Sequence, residues 1–397
     1  MGAIFTRFDG VQPQEGQGMS RNRSIIGFVT GWIALLVVVL AGFAQVGSAA
    51  PSLQAEVRNC YRVALQETPR WISSVTWIVD SSRLLVVDPH RDALLSYDPQ
   101  GRSTLLRPVQ SSGTAKVLPA MVARTEEGFL LEKVDGHFLG LDGQLRAIRE
   151  NVPLWKSAAA SEHVGSLYQW TVAGDSLVGF GTLTRPDQSF NRGFLRAPLR
   201  LDGKAEMLKA FANEDFYLLS GYSYLASLGD EAYFVLMDKR PAIYRAAPGS
   251  GVERLKAFPD EYRIRPDFRT RMTGPKTAPD HYAEVKGFAM PAGLYAQDGL
   301  LYLLTRRPDG PGKTAWWLYQ IDPQRDVILG RVQLPTSADH LTVVPGERNW
   351  FVFERGPVVA NSSVLQRISQ KISSMVVIQS SAIRSLAVSA TCSDAGK

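Results

Sequence analysis

Four acidic residues recur at one kind of place in this chain. Asp88, Glu132, Asp238 and Glu354 each end a short run of apolar residues, and Gly181 and Arg306 end two further runs of the same kind. Carboxylates at corresponding positions can coordinate a hard cation, grip a sugar or hold a polar small molecule. Crowded together, they raise one another's pKa unless a cation sits between them. Calcium is the cofactor such a set suggests, and its roughly six to eight oxygen ligands would have to converge in space. Trp71, Tyr222 and His340 fall where adjoining runs begin, and bring aromatic and imidazole groups to the same neighbourhood. With Glu132, Asp238 and Glu354 around a metal and His340 as base, metal-dependent hydrolysis is one chemistry open to this set. The opposing reading is that charged residues end apolar runs because water begins there.

A second candidate is cationic. Between Phe258 and Pro291, the stretch 263–276 carries Arg263, Arg265, Arg269, Arg271 and Lys276 against Asp267 alone. A long loop of this kind either serves a site, here by bringing cations to an anionic ligand, or is a solvated surface segment. Other motifs fail on inspection. Gly310-Pro-Gly-Lys-Thr314 imitates the end of a phosphate loop, but Arg307 stands where the leading glycine belongs, and two strand-like runs flank it. It reads as a hairpin turn. No G-x-S-x-G elbow occurs. The five histidines show neither H-E-x-x-H nor H-x-H spacing.

The elements that must position these residues are short strands. Beyond residue 50, runs rich in Val, Leu, Tyr and Phe alternate with Asp, Gly, Pro and Ser turns, and no long amphipathic helix is legible. One hairpin pattern recurs, its second strand starting near Leu84, Phe129, Leu177, Tyr233, Leu300 and Trp350, in steps of 45, 48, 56, 67 and 50 residues. A second hairpin follows five of these, turning around Asp98, Asp142, Asp202, Gly249 and Asp322. Two hairpins per repeat make a four-stranded antiparallel unit, and such units stacked radially are propeller blades. The competing architecture is a β-sandwich with coincidental turn spacing.

On this pattern, residues 55–392 resemble the six-bladed β-propeller superfamily, which includes NHL-repeat, low-density-lipoprotein-receptor-type and gluconolactonase-like members. No YWTD repeat, sialidase box or Trp-Asp blade end is present, so no subfamily's activity carries over. The resemblance implies an all-β fold, a six-bladed β-propeller of four-stranded antiparallel blades, with ligands held on the face where second strands end. That face would carry Trp71, Asp88, Glu132, Tyr222, Asp238, Arg306, His340 and Glu354, with Arg269 on the loop above it. The expected function is binding of a small polar ligand or protein partner there. The alternatives are a gluconolactonase-like hydrolase and a structural envelope protein.

A ring built from one chain needs a clasp. The sixth repeat lacks its second Asp/Gly hairpin and has Ser373-SMVVIQ and Ile383-RSLAVSATC instead, while Val57–Leu65 forms a lone strand before the first repeat. Pairing that strand with the C-terminal ones would set Cys60 beside Cys392, where a compartment outside the cytoplasm permits a disulfide; the alternative is two free cysteines far apart.

Residues 25–44 hold no charge, follow Arg21 and Arg23, and are trailed by Gly47-Ser-Ala-Ala50. This is a secretory signal peptide or, since the run is long enough to span a bilayer, a transmembrane anchor. Either places residues 51–397 outside the cytoplasm, secreted or periplasmic if cleaved and membrane-anchored if not. Met19 is an alternative start. The net charge of +6 is spread among both signs and falls short of a nucleic-acid footprint. A monomer is expected, with membrane association only if the first 50 residues are retained.

Overall fold

The computed structural model describes residues 59–394 apart from 71, 80, 107–118, 134–136, 153–162, 186, 188, 201–204, 211–223, 237–240, 263–288, 311–312, 356–371, 373 and 389. The apolar segment 25–44 therefore lies outside the described residues, as do Trp71, Tyr222, Asp238 and Arg269. Among the described residues no helix is long and apolar enough to cross a membrane.

The chain forms six sheets, five of them wholly antiparallel, and its first strand, β1 (Cys60–Ala64), joins the last of them. Blade 1 comprises β2 (Ser74–Ile78), β3 (Arg83–Asp88), β4 (Ala93–Tyr97) and β5 (Ser103–Leu106). Blade 2 comprises β6 (Pro119–Thr125), β7 (Gly128–Lys133), β8 (Phe138–Leu141) and β9 (Ala147–Val152). Blade 3 comprises β10 (His163–Ala173), β11 (Ser176–Thr184), β12 (Phe190–Pro198) and β13 (Glu206–Ala210). Blade 4 comprises β14 (Tyr224–Leu228), β15 (Glu231–Leu236), β16 (Ala242–Ala246) and β17 (Val252–Arg254). Blade 5 comprises β18 (Met290–Gln297), β19 (Leu300–Pro308), β20 (Thr314–Asp322) and β21 (Val327–Gln333). Each is a simple meander, with neighbours in space also neighbours in sequence.

Blade 6 breaks the pattern, as a clasp requires. Its order is β22 (His340–Pro345), β23 (Asn349–Arg355), β24 (Ser374–Gln379), then β1, then β25 (Ser393–Asp394). β1 runs antiparallel to β24, Cys60 opposite Ile378 through Ala64 opposite Ser374, and parallel to β25. The expected final strand at 383–392 is corrected. A short helix, α1 (Ser380–Arg384), follows β24, and only the two residues of β25 pair with β1. Cys60 and Cys392 form a disulfide with Cα atoms 5.0 Å apart.

Second strands are covered on both faces, which is why they read as unbroken apolar runs. Leu84 and Val86 pack with Phe351 and Val377 of blade 6, whereas Leu85 and Val87 pack with Phe129 and Leu131 of blade 2. Leu130 and Phe138 meet Trp170 and Leu177 of blade 3, and Phe194 stacks on Phe234 of blade 4 at 3.8 Å. Tyr233 and Val235 meet Leu301 and Leu303, and Tyr302 and Leu304 meet Trp350 and Val352. Six apolar interfaces thus join each blade to the next and the last to the first, and the propeller closes.

Candidate functional site

Side chains of a second strand point alternately at the blade before and the blade after. The described acids at the ends of these strands, Asp88, Glu132 and Glu354, take their direction from that alternation. Asp88 is fully buried. Its carboxylate accepts hydrogen bonds from the Arg70 N–H (2.8 Å) and the His90 N–H (3.2 Å), with the Arg91 guanidinium 3.5 Å away. It caps the turn leaving β3 and holds the chain that enters blade 1. Glu132 is buried against blade 3, where its carboxyl accepts from Trp170 Nε1 at 2.6 Å. Burial pushes its pKa up to about 7, against the smaller opposing effect of the indole hydrogen bond. Glu354 takes both guanidinium nitrogens of Arg62 across β24, and so ties β1 into blade 6.

These acids are neither solvent-facing strand ends nor a metal shell. Among the described residues no group of three or more His, Cys, Asp or Glu side chains is arranged to hold a metal ion. The described acids therefore form no calcium shell, and among the described residues nothing supports the metal-dependent hydrolase alternative.

What the inner strands enclose is different. A cavity of about 450 Å³ lies among β2, β10, β14, β18 and β22, at the end where His340 begins β22. Val75, Leu225, Leu294 and Val344 contribute to its apolar wall, and Gln169, Tyr224, Tyr295 and Thr342 to its polar one. Arg306, Arg355 and His340 complete it. Of the sequence-derived candidates, Arg306 and His340 are therefore brought together, and Asp88, Glu132 and Glu354 stand apart.

Local irregularity helps aim these groups. The β10–β11 pairing slips between Leu167 and Gln169, and the β18–β19 pairing slips between Pro291 and Gly293. Bulges of this kind re-aim side chains next to sites. At Gly293 the Tyr295 hydroxyl occupies the space a Cβ would need, so only glycine lets that tyrosine fold over the strand. Trp316 donates its indole N–H to Ala338 O at 2.7 Å and anchors the segment that delivers His340. Arg355 lies opposite His340 in the β22–β23 register, and donates to Ile72 O at 2.8 Å and to the Thr342 hydroxyl. Arg306 is buried, with Nη2 3.2 Å from Met290 Sδ.

Burial, helped by the Arg355 charge, lowers the His340 pKa to about 4, so its imidazole is neutral at physiological pH. Burial lowers Arg355 to about 10, with Tyr295 opposing, and leaves it cationic. Burial pushes the Tyr295 phenol well up, so it stays protonated. Among the described residues the cavity lining carries guanidinium groups, hydroxyl groups and a neutral imidazole.

No family model matches the sequence, and no curated protein matches it. Solved structures do resemble it in fold. A luciferin-regenerating enzyme is 14% identical with a TM-score of 0.46, over 80% of this chain and 95% of that one. A member of the DUF4221 family from Bacteroides vulgatus is 8% identical with a TM-score of 0.49, over 81% and 95%. A streptogramin B lyase is 10% identical with a TM-score of 0.40, over 81% and 97%. At these identities and scores no activity carries across.

Proposed function

We propose that this protein is an extracytoplasmic propeller that binds a small polar ligand in the cavity among its inner strands. The cavity itself carries the reading. Its volume of about 450 Å³ falls in the range of small-molecule sites, and it combines apolar walls with a few convergent polar groups. The location outside the cytoplasm draws support from Arg21, Arg23 and the uncharged run that follows, and from a disulfide that the cytosol would keep reduced.

The test is a thermal-shift screen of the full chain in mild detergent against a diverse library of small polar molecules. Binding should raise the melting temperature of the wild type but not of Ala292→Trp, which fills the cavity from the β18 wall. A shift that survives in Ala292→Trp would move the site elsewhere, and no shift with any compound would remove the reading. Fractionation with immunoblotting tests the location. The chain should be recovered outside the cytoplasm, and recovery in the cytosol would overturn that part.

A further inference from the structure

We infer that the outer edge of blade 5 receives an extended strand from a partner protein, in a cleft separate from the cavity among the inner strands.

β21 ends its sheet, so one side of it pairs with β20 and the other is an edge. Its seven residues make it longer than the outermost strands of blades 1 to 4. Val327, Ile328 and Leu329 at its start are exposed, and a long edge with exposed apolar residues is a template for a further strand. The ladder decides which backbone groups that template offers. The Leu334 N–H donates to Trp316 O at 2.9 Å, and Val332 and Gly330 fall on the same alternation, opposite Leu318 and Gln320. In an antiparallel pair the residues between such positions turn their N–H and C=O groups away from the partner. Arg331 and Gln333 therefore present theirs at the edge, on alternate residues, as an added strand requires.

A cleft of about 500 Å³ lies beside this edge. Arg331, Val332 and Gln333 form one wall, and Leu386, Val388 and Ala390, in the segment after α1, form the other. The walls touch at Gly330, where Leu386 Cδ1 fills the space a Cβ would need, and the cleft runs from there past Gln333 to Pro335. Main-chain donors and acceptors at strand spacing call for another main chain as the occupant. One side of the cleft is apolar, since Val332, Leu334, Leu386 and Val388 share the blade 5–blade 6 cluster. On the other side the Arg331 guanidinium lies over the Trp317 and Tyr319 rings. An inserted strand turns alternate residues to these two sides, so apolar and polar residues should alternate along it. A second copy of this chain fits poorly. Its β21 carries its own wall of Leu386, Val388 and Ala390 along the same edge, and pairing the two edges would drive each wall into the other's cleft. A lone extended segment meets no such obstruction.

The probe is a panel of short labelled peptides in which Val, Leu or Ala alternates with Ser, Thr or Gln, with charged ends for solubility. Fluorescence anisotropy is read on the full chain in mild detergent. The best binder is then remade with N-methyl groups on the odd or on the even residues. Only alternate N–H groups of an added strand face the edge, so one methylated form should lose binding and the other keep it. Gln333→Pro removes an edge-facing N–H and spares the β20 ladder, a place where proline is tolerated. It should melt near wild type and weaken the best peptide roughly tenfold, the loss of one net hydrogen bond. Ala390→Trp, which fills the cleft from the opposite wall, should abolish binding without touching β21. Absence of binding by the whole panel overturns the inference. So does binding that ignores both N-methyl patterns or survives Gln333→Pro and Ala390→Trp unchanged. Dimerisation of the protein that is lost in Gln333→Pro would make a second copy the occupant and overturn the partner strand. None of these outcomes bears on the cavity among the inner strands.

Discussion

Glu132 shows how much the setting of a single carboxyl group matters. It is 7% exposed, holds one indole hydrogen bond, and its pKa rises from an ordinary 4.5 to about 7. A raised folded pKa means that folding favours the protonated form. The associated stability is fully present below about pH 4.5 and is lost as pH rises through about 7, a change of roughly 3 kcal/mol at most. His340 works in the opposite sense. Its depressed pKa gives stability above 6.5 that is lost as pH falls toward about 4. Glu132→Gln keeps an oxygen for Trp170 and removes the titration. In urea unfolding, its midpoint should match wild type near pH 4 and exceed it at pH 8. Parallel pH profiles for the two proteins would show that Glu132 is not the titrating group. At this scale the sequence was half legible. Charged residues at the ends of apolar runs are visible, and Arg306 and His340 do reach the cavity. Arg355 was not legible, because β23 runs one residue past Glu354 and alternation sends the two neighbours to opposite faces. Tyr224 and Thr342 look like ordinary strand residues until the ring places them on its inner wall.

The elements were legible where turn chemistry is explicit. Asp98 Oδ1 accepts from the N–H groups of Gln100 and Arg102, Asp142 Oδ1 from those of Gln144 and Arg146, and Asp322 Oδ1 from those of Gln324 and Arg325. The same side chain at the same turn position performs the same local task in three blades, and this made the second hairpin readable. Asp142→Ala should cost about 1 kcal/mol, by stranding two backbone donors that water can partly satisfy. Asp98→Ala should cost more, since Asp98 is also buried and paired with Arg102 at 2.6 Å. Asp142→Asn, which keeps the accepting oxygen, should be near neutral. Urea midpoints rank the three, and an equal loss in Asn and Ala variants of Asp142 would show that the turn does not depend on that acceptor. The short helix α1 shows where legibility ends. Leu386 and Val388 mimic strand alternation, and five helical residues are too few to establish a 3.6-residue period. What decides the conformation is tertiary. Ile383 and Leu386, three apart, pack together into the blade 5–blade 6 core.

At the scale of the whole molecule, the question is what keeps a linear chain circular. Three links converge on β1. It pairs residue by residue with β24, Arg62 bridges β24 to reach Glu354, and Cys60 is bonded to Cys392 across a separation of 332 residues. The first two act on the folded state, whereas the disulfide acts mainly by restricting the unfolded chain, and a loop this long corresponds to about 6 kcal/mol in the chain-entropy model. The links should therefore separate experimentally. Cys392→Ser should lower the unfolding free energy by about 3–5 kcal/mol, and reducing agent should do the same to wild type but nothing further to the variant. Under native conditions the strand pairing and the Arg62–Glu354 bridge still hold blade 6. The cavity wall at His340, Thr342 and Arg355 should keep its shape, and any ligand-induced thermal shift should persist. Deleting residues 59–65 is a different injury. It bares the edge of β24, leaves the partly buried Glu354 without its guanidinium, and opens the blade that carries three of the cavity's polar groups. That variant should aggregate or lose its ligand response at any temperature. If Cys392→Ser instead matches wild type in denaturant, the disulfide contributes little to closure, and strand pairing alone keeps the ring shut.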